Sequence, residues 1–196
     1  MEKLFLFIKH NFRAIWAIIE WGNGVLFAIF YSAVMERILP GVFKEFRLEP
    51  YTFRRLLPED SEQLYELISA QPVADLEFFH PHAHDLRSIK KQFKVSAFLM
   101  MGVFDGNRLT GYFFLRFFAN RKCFVGRLID INHRGRGIGD VMNRIMYNIA
   151  WRMKFRCLST ISRNNRLVMH SHSRNSHIKV LKELHGDYLL VEFVRE

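Results

Sequence analysis

Apolar positions over residues 3–39 recur every three or four residues: Leu4, Phe7, Ile8, Phe12, Ile15, Ile18 and Ile19, with Lys9, His10 and Arg13 elsewhere around the wheel. One or two apolar helices are predicted there. Gly22-Asn23-Gly24 should interrupt them, residues 25–35 resume, and Pro40-Gly41 close the unit before a linker over 43–50. From Tyr51 the texture changes to alternating elements. Residues 51–56 read as a strand, Pro58-Glu59-Asp60-Ser61 opens a helix carrying Leu64, Leu67 and Ile68, and 85–94 reads as a second helix. Runs at 97–104 and 109–118 flank the turn Asp105-Gly106-Asn107 and predict a β-hairpin, followed by a strand over 124–131. These strands are apolar on both faces, as in the middle of a covered sheet. Residues 138–153 carry Ile138, Val141, Met142, Ile145, Met146, Ile149, Ala150 and Met153 in an unbroken helical pattern. A short strand over 158–162, a helical or irregular stretch over 165–174, and strands at 178–181 and 188–194 complete the chain. The class expected is α/β (α+β): a mixed, twisted central sheet flanked by helices over 51–196, behind an N-terminal helical appendage over 1–50.

Composition narrows the classes. At 49% hydrophobic, 15% aromatic and 24% charged residues, the 196-residue chain is not disordered. Cys123 and Cys157 are too few for a disulfide scaffold and have no metal-site spacing, so a reducing, cytoplasmic compartment is expected. No secretory signal is read at the N-terminus. The longest charge-free stretch, residues 21–35, is shorter than the roughly 20 apolar residues of a spanning helix. The appendage is therefore read in two ways. It covers an apolar surface of its own domain or of a second copy in a homodimer, or it is a peripheral membrane anchor at the inner face, where Trp16 and Trp21 suit a lipid–water boundary.

The formal charge of +10 points to an anionic partner. Residues 1–50 are almost neutral, whereas 120–174 hold twelve Lys and Arg against Asp130 and Asp140, so this segment alone accounts for the excess. Its centre is Arg134-Gly135-Arg136-Gly137-Ile138-Gly139-Asp140, where a strand passes through three alternate glycines into the long helix. Glycine lets backbone N–H groups approach a ligand, the helix N-terminus adds partial positive charge, and Arg134 and Arg136 add full charges. By physics alone this is a pyrophosphate cradle, and the excess charge is read as belonging to a phosphorylated cofactor. It lacks the Gly-Lys-Ser/Thr ending of a Walker loop, and Asp140 stands where the dinucleotide fingerprint needs its third glycine. Aromatic platforms for single-stranded nucleic acid are missing from the basic segment, so no nucleic acid is expected as a partner.

The motif and its place between strand and helix resemble the GNAT superfamily of acetyl-CoA-dependent N-acetyltransferases, whose signature is Arg/Gln-x-x-Gly-x-Gly/Ala. The resemblance covers roughly residues 51–195 and includes the order of elements. It implies a GNAT fold with acetyl-CoA as co-substrate and no metal. Backbone N–H groups over Arg134, Gly135, Arg136, Gly137, Ile138, Gly139 and Asp140 would hold the pyrophosphate, and the strand edge at Leu128, Ile129 and Ile131 would pair with pantetheine. Asn165 matches an asparagine that often follows the next strand. Many relatives carry a Tyr four residues before a Gly-Phe pair to protonate the leaving thiolate. Ser176-His177 stands at the pair's place in this chain, which puts His172 where the Tyr would be.

Phe78-Phe79-His80-Pro81-His82 lies where such folds cover the acceptor, and similar segments resemble GNAT proteins encoded with surface-polysaccharide genes. The acceptor amine must lose a proton before attack, for which His80, His82 and Asp130 are candidates. The spacing His80-x-His82-x-His84 on a loop is a weak metal signal. The expected activity is acetyl or short acyl transfer from CoA to the primary amine of a small molecule, a protein or a sugar. The rival readings are a non-catalytic acyl-CoA sensor or scaffold, and a nucleic-acid-binding protein.

Overall fold

Alternation along the central strands decides the architecture. The computed structural model describes the backbone of residues 13–165, 168–169 and 178–195, with side chains from residue 18. Among these residues β1 (Tyr51–Arg55), β2 (Phe98–Asp105), β3 (Arg108–Phe118), β4 (Lys122–Ile129), β5 (Arg156–Ser162), β6 (Ile178–Leu184) and β7 (Tyr188–Phe193) form one sheet. Its order is β1-β2-β3-β4-β5-β7-β6. Every neighbouring pair is antiparallel except β4 and β5, which run parallel.

The two faces bury different sets of side chains. On the upper face Leu99, Met101, Phe113, Phe117 and Val125 share a core with Met142, Ile145 and Ile149 of α6 (Ile138–Arg152). The same core takes in Phe27 of α1 (Arg13–Phe30) and Met35, Leu39 and Val42 of α2 (Ser32–Glu45). On the lower face Phe98, Met100, Tyr112, Phe114 and Leu128 pack with Leu64, Leu67 and Ile68 of α3 (Ser61–Ser69) and with Ile89 of α5 (Leu86–Gln92). A single turn, α4 (Val73–Leu76), stands between α3 and α5. This is the expected mixed α/β sheet, covered on both sides. The entry into α3 is pinned by Asp60, whose carboxylate accepts from both Arg54 nitrogens at 2.7 and 2.8 Å and from the Leu57 N–H.

The N-terminal helices depart from the sequence expectation at their breaks and at their end, since α2 runs on to Glu45, into the stretch expected as a linker. Neither Gly22-Asn23-Gly24 nor Pro40-Gly41 ends a helix; both lie inside one, and the chain breaks at Tyr31. Asn23 explains the first case. Its amide donates to the Phe117 carbonyl at 2.9 Å and accepts from the Ala119 N–H at 2.8 Å, so a residue that favours turns in isolation is fixed by the β3–β4 turn. Tertiary packing of Phe27 and Met35 outweighs the local cost of glycine and proline. The inner face of this hairpin covers the chain's own sheet.

Candidate functional site

β4 and β5 separate after a short start. Their parallel ladder covers only Lys122 with Arg156, Cys123 with Cys157 and Phe124 with Leu158. Beyond it each strand keeps its outer partner, β4 on β3 and β5 on β7, and the sheet opens into a wedge. The Asp130 N–H donates to the Thr110 carbonyl on the β3 side. By strand alternation the backbone groups of Val125, Arg127 and Ile129 therefore face the wedge. The Val125 carbonyl accepts from the Ser159 hydroxyl at 3.2 Å, and the Ile129 carbonyl from Arg134 Nε at 3.3 Å. Leu128 turns its backbone toward β3 and its side chain into the lower core; Ile131 lies past the strand and is 48% exposed.

The wedge leads to the glycine loop. Gly135 and Gly137 hold φ of +74° and +81°, which side chains disfavour, and Gly137 caps α6. A Cβ at Gly135 would meet nothing within 4 Å, so the loop is open to solvent on that side. Among the described residues, the N–H groups of Gly135, Arg136, Gly137, Ile138 and Gly139 have no protein acceptor. Unanswered N–H groups beside left-handed glycines at a helix N-terminus form an anion nest. Beneath it the half-buried Arg127 packs against Gly139, where a Cβ would stand 3.3 Å from Nε. Burial lowers the Arg127 pKa, while Tyr147 and Asp140 oppose that shift.

Both loop arginines are engaged. Arg134 bonds Asp75 of α4 at 2.7 Å, tying the loop to the turn that precedes the histidine segment. Arg136 donates to the Asn132 carbonyl at 2.9 Å and to the Tyr51 hydroxyl at 3.2 Å. Asp140 pairs with Arg144. The charge concentrated in residues 120–174 is also met elsewhere by acids distant in sequence: Arg152 by Glu45, Arg156 by Glu192 and Arg163 by Glu183. Among the described residues, part of the basic excess is thus paired away from the loop.

The proton-handling candidates fall into separate places. Asp130 is buried at the end of β4, where burial would raise its pKa. The Asn132 N–H at 2.8 Å, His133 at 3.3 Å and the charge of Arg108 hold it below the usual carboxylate range. That environment makes it a turn cap and a weak base. His80, His82 and His84 cluster over the lower face, one strand from β4. His82 is held at both ring nitrogens, Nδ1 by the Ala83 carbonyl at 2.8 Å and Nε2 by the Tyr112 hydroxyl at 3.1 Å. Nδ1 therefore carries the proton and Nε2 accepts from Tyr112, whose own pKa burial drives far up. His80 donates Nε2–H to the Glu77 carbonyl at 2.9 Å, which leaves its lone pair on Nδ1. His84 stacks on His80 and bonds the Phe79 carbonyl. Among the described residues, no group of three or more His, Cys, Asp and Glu side chains has the arrangement of a metal site. Asn165 caps the turn after β5 by accepting from the Val168 N–H. His172 lies outside the described residues.

Burial lowers the His82 pKa below 6.5, against the opposing hydrogen bond to Ala83 and the charge of Asp85, and alongside the repulsion of His84 and Arg116. A histidine depressed in the folded state gives full stability above the unfolded value and loses it as pH falls toward the folded one. We expect the His82 ring to titrate below 6.5 by NMR, and His82→Gln to flatten the acid side of the stability profile. A midpoint at or above 6.5 would contradict the packing described.

Sequence reasoning missed Asp75, Tyr51 and Tyr112, the partners of Arg134, Arg136 and His82, which carry no local signal. Arg127 was recoverable in part, as a charge in the middle of an apolar strand run.

No family profile and no curated protein matches the sequence. Solved structures do. The chain is similar to the PaiA N-acetyltransferase from Thermoplasma acidophilum in complex with coenzyme A, with a TM-score of 0.62 and 18% identity over 74% of this chain and 99% of that one. The α-N-protein acetyltransferase RimL has a TM-score of 0.58 and 17% identity over 74% and 88% of the two chains. The aminoglycoside acetyltransferase AAC(6')-Ib in complex with coenzyme A has a TM-score of 0.58 and 12% identity over 74% and 95%. At these identities the likeness establishes the fold alone, a GNAT fold over about 74% of the chain.

Proposed function

We propose that this protein is an acyl-CoA-dependent N-acyltransferase that passes an acetyl or similarly short acyl group to a primary amine. The observation that carries the reading is the continuous path from the β4–β5 wedge to a nest of unanswered N–H groups at the start of α6. The nest suits a pyrophosphate. The wedge-facing backbone of Val125, Arg127 and Ile129 suits an extended arm bearing amides, and an N–H there can polarise a thioester carbonyl. The amine nitrogen attacks that carbonyl carbon, the C–S bond breaks, and the thiolate takes a proton from solvent or an acid. Before attack the amine gives up its own proton. Of the candidates His80 and His82, His80 is the freer for that step, because its Nδ1 lone pair is not spent on a protein donor, whereas His82 is fixed by Tyr112.

Structures of this fold are named for an aminoglycoside acetyltransferase and an α-N-protein acetyltransferase, so sugar-borne and protein-borne amines both belong in the acceptor class. An amino sugar of a surface-polysaccharide pathway is the narrower reading, supported by the resemblance of the Phe78–His82 segment. The buried free thiols Cys123 and Cys157 favour a reducing, cytoplasmic setting. Release of free CoA thiol from acetyl-CoA, measured over amino sugars, polyamines and peptides, tests the activity. Amine-dependent release that rises as pH increases is expected. Tight binding of acetyl-CoA without release on any amine would replace the enzyme by a sensor module.

A further inference from the structure

α1 is built inside out. Its described polar side chains, Glu20 and Asn23, are turned toward the domain: Glu20 pairs with Arg116 at 2.9 Å, and Asn23 bonds Phe117 and Ala119. Ile18, Trp21, Val25, Leu26, Ile29 and Phe30 point the other way, with Trp21 71% and Ile29 68% exposed. A helix at a water surface has the opposite pattern. So large a contiguous apolar ridge marks an interaction surface.

The surroundings say which kind. The acids near this end of the sheet are committed, Glu20 to Arg116, Glu45 to Arg152 and Glu192 to Arg156. Arg121 and Lys154 are exposed and, among the described residues, in no ion pair. Both flank α1. Arg121 follows the turn that Asn23 grips, and Lys154 precedes Phe155, whose ring packs on Phe27 and Tyr31. The Arg156 N–H joins the two turns by donating to the Arg121 carbonyl at 2.8 Å. An apolar ridge with a cationic rim complements an anionic lipid surface. A second copy packed ridge to ridge would bring two such rims together.

We infer that α1 docks the protein onto an anionic lipid bilayer, with Ile18, Trp21, Ile29 and Phe30 in the acyl–headgroup boundary and Arg121 and Lys154 at the phosphate level. The contact is peripheral. Among the described residues no single helix is long and apolar enough to cross a membrane, and the α1–α2 pair bends by 69°. α2 does not continue a span, because Met35, Leu39 and Val42 are buried against the sheet. The eight residues of β4 separate the lipid-facing turn from the glycine loop by about 25 Å, so the nest lies well clear of that turn.

The full chain should co-sediment with vesicles of phosphatidylcholine mixed with phosphatidylglycerol, less as salt rises, and weakly with phosphatidylcholine alone. Trp21→Ser with Ile29→Ser should lower the bound fraction tenfold or more. Arg121→Glu with Lys154→Glu should weaken binding to the anionic vesicles about 25-fold or more. Both variants change exposed positions and should melt with the wild type. Failure of the wild type to bind anionic vesicles, or unchanged binding by the Trp21–Ile29 variant, would overturn the inference. So would a dimer that Trp21→Ser dissolves, formed by a chain that ignores vesicles. These outcomes do not touch the acyl-CoA reading, whose assays contain no lipid.

Discussion

Gly137→Glu should raise the dissociation constant for acetyl-CoA about 100-fold or more. Gly137 holds φ of +81° at the cap of α6. A side chain in that region costs on the order of 1–3 kcal/mol, and relief of the strain would rotate the N–H groups of the nest. The carboxylate adds a larger effect. A helix N-terminus favours any negative charge, so the new carboxylate occupies the nest as a tethered competitor and repels the incoming phosphates. Gly137→Ala separates the two effects, since it carries the strain without the charge and should lose far less affinity. A calorimetric titration reads both variants. Wild-type affinity in Gly137→Glu would mean that phosphate binds elsewhere.

Phe27→Ala should cost about 3–5 kcal/mol of stability, the usual range for emptying a buried phenylalanine site. Phe27 is 1% exposed, stacked on Phe117 at 4.7 Å between centroids and edge-on to Phe155 at 6.3 Å. In a chain of this size that loss lowers the melting temperature by roughly 6–20 °C. Ile29, on the same helix but 68% exposed, supplies the contrast. Ile29→Ala should stay within about 0.5 kcal/mol of the wild type. Equal, small effects at both positions would mean that α1 is not packed on the sheet.

What the sequence discloses is what local pattern can encode. The β2–β3 hairpin, the helix beginning at Ile138 and the glycine run before it are each written in consecutive residues, and their positions hold in the structure. The positive φ at Gly135 and Gly137 is the physical reason those glycines signal a nest. What escaped depends on residues far apart. Asn23 looks like a helix breaker until Phe117 and Ala119 take its amide. The arginines of 120–174 look like one electropositive site until Asp75, Glu45, Glu192 and Glu183 arrive from other elements. His80 and His82 look equivalent until Tyr112 occupies one of them. The polarity of α1 could not be read from periodicity, because the helix is apolar nearly all round and only the positions of Glu20 and Asn23 reveal which face meets the domain.

The central claim is that the wedge and nest hold an acyl-CoA. Its most direct test is thermal melting of the full chain with and without acetyl-CoA. At 100 times the dissociation constant, ligand bound to one site on the folded state adds about 2.7 kcal/mol. For this chain length that corresponds to a rise of roughly 5–10 °C. The account predicts that rise in the wild type and its absence in Gly137→Glu. A wild-type melting temperature unmoved by millimolar acetyl-CoA or CoA would contradict it.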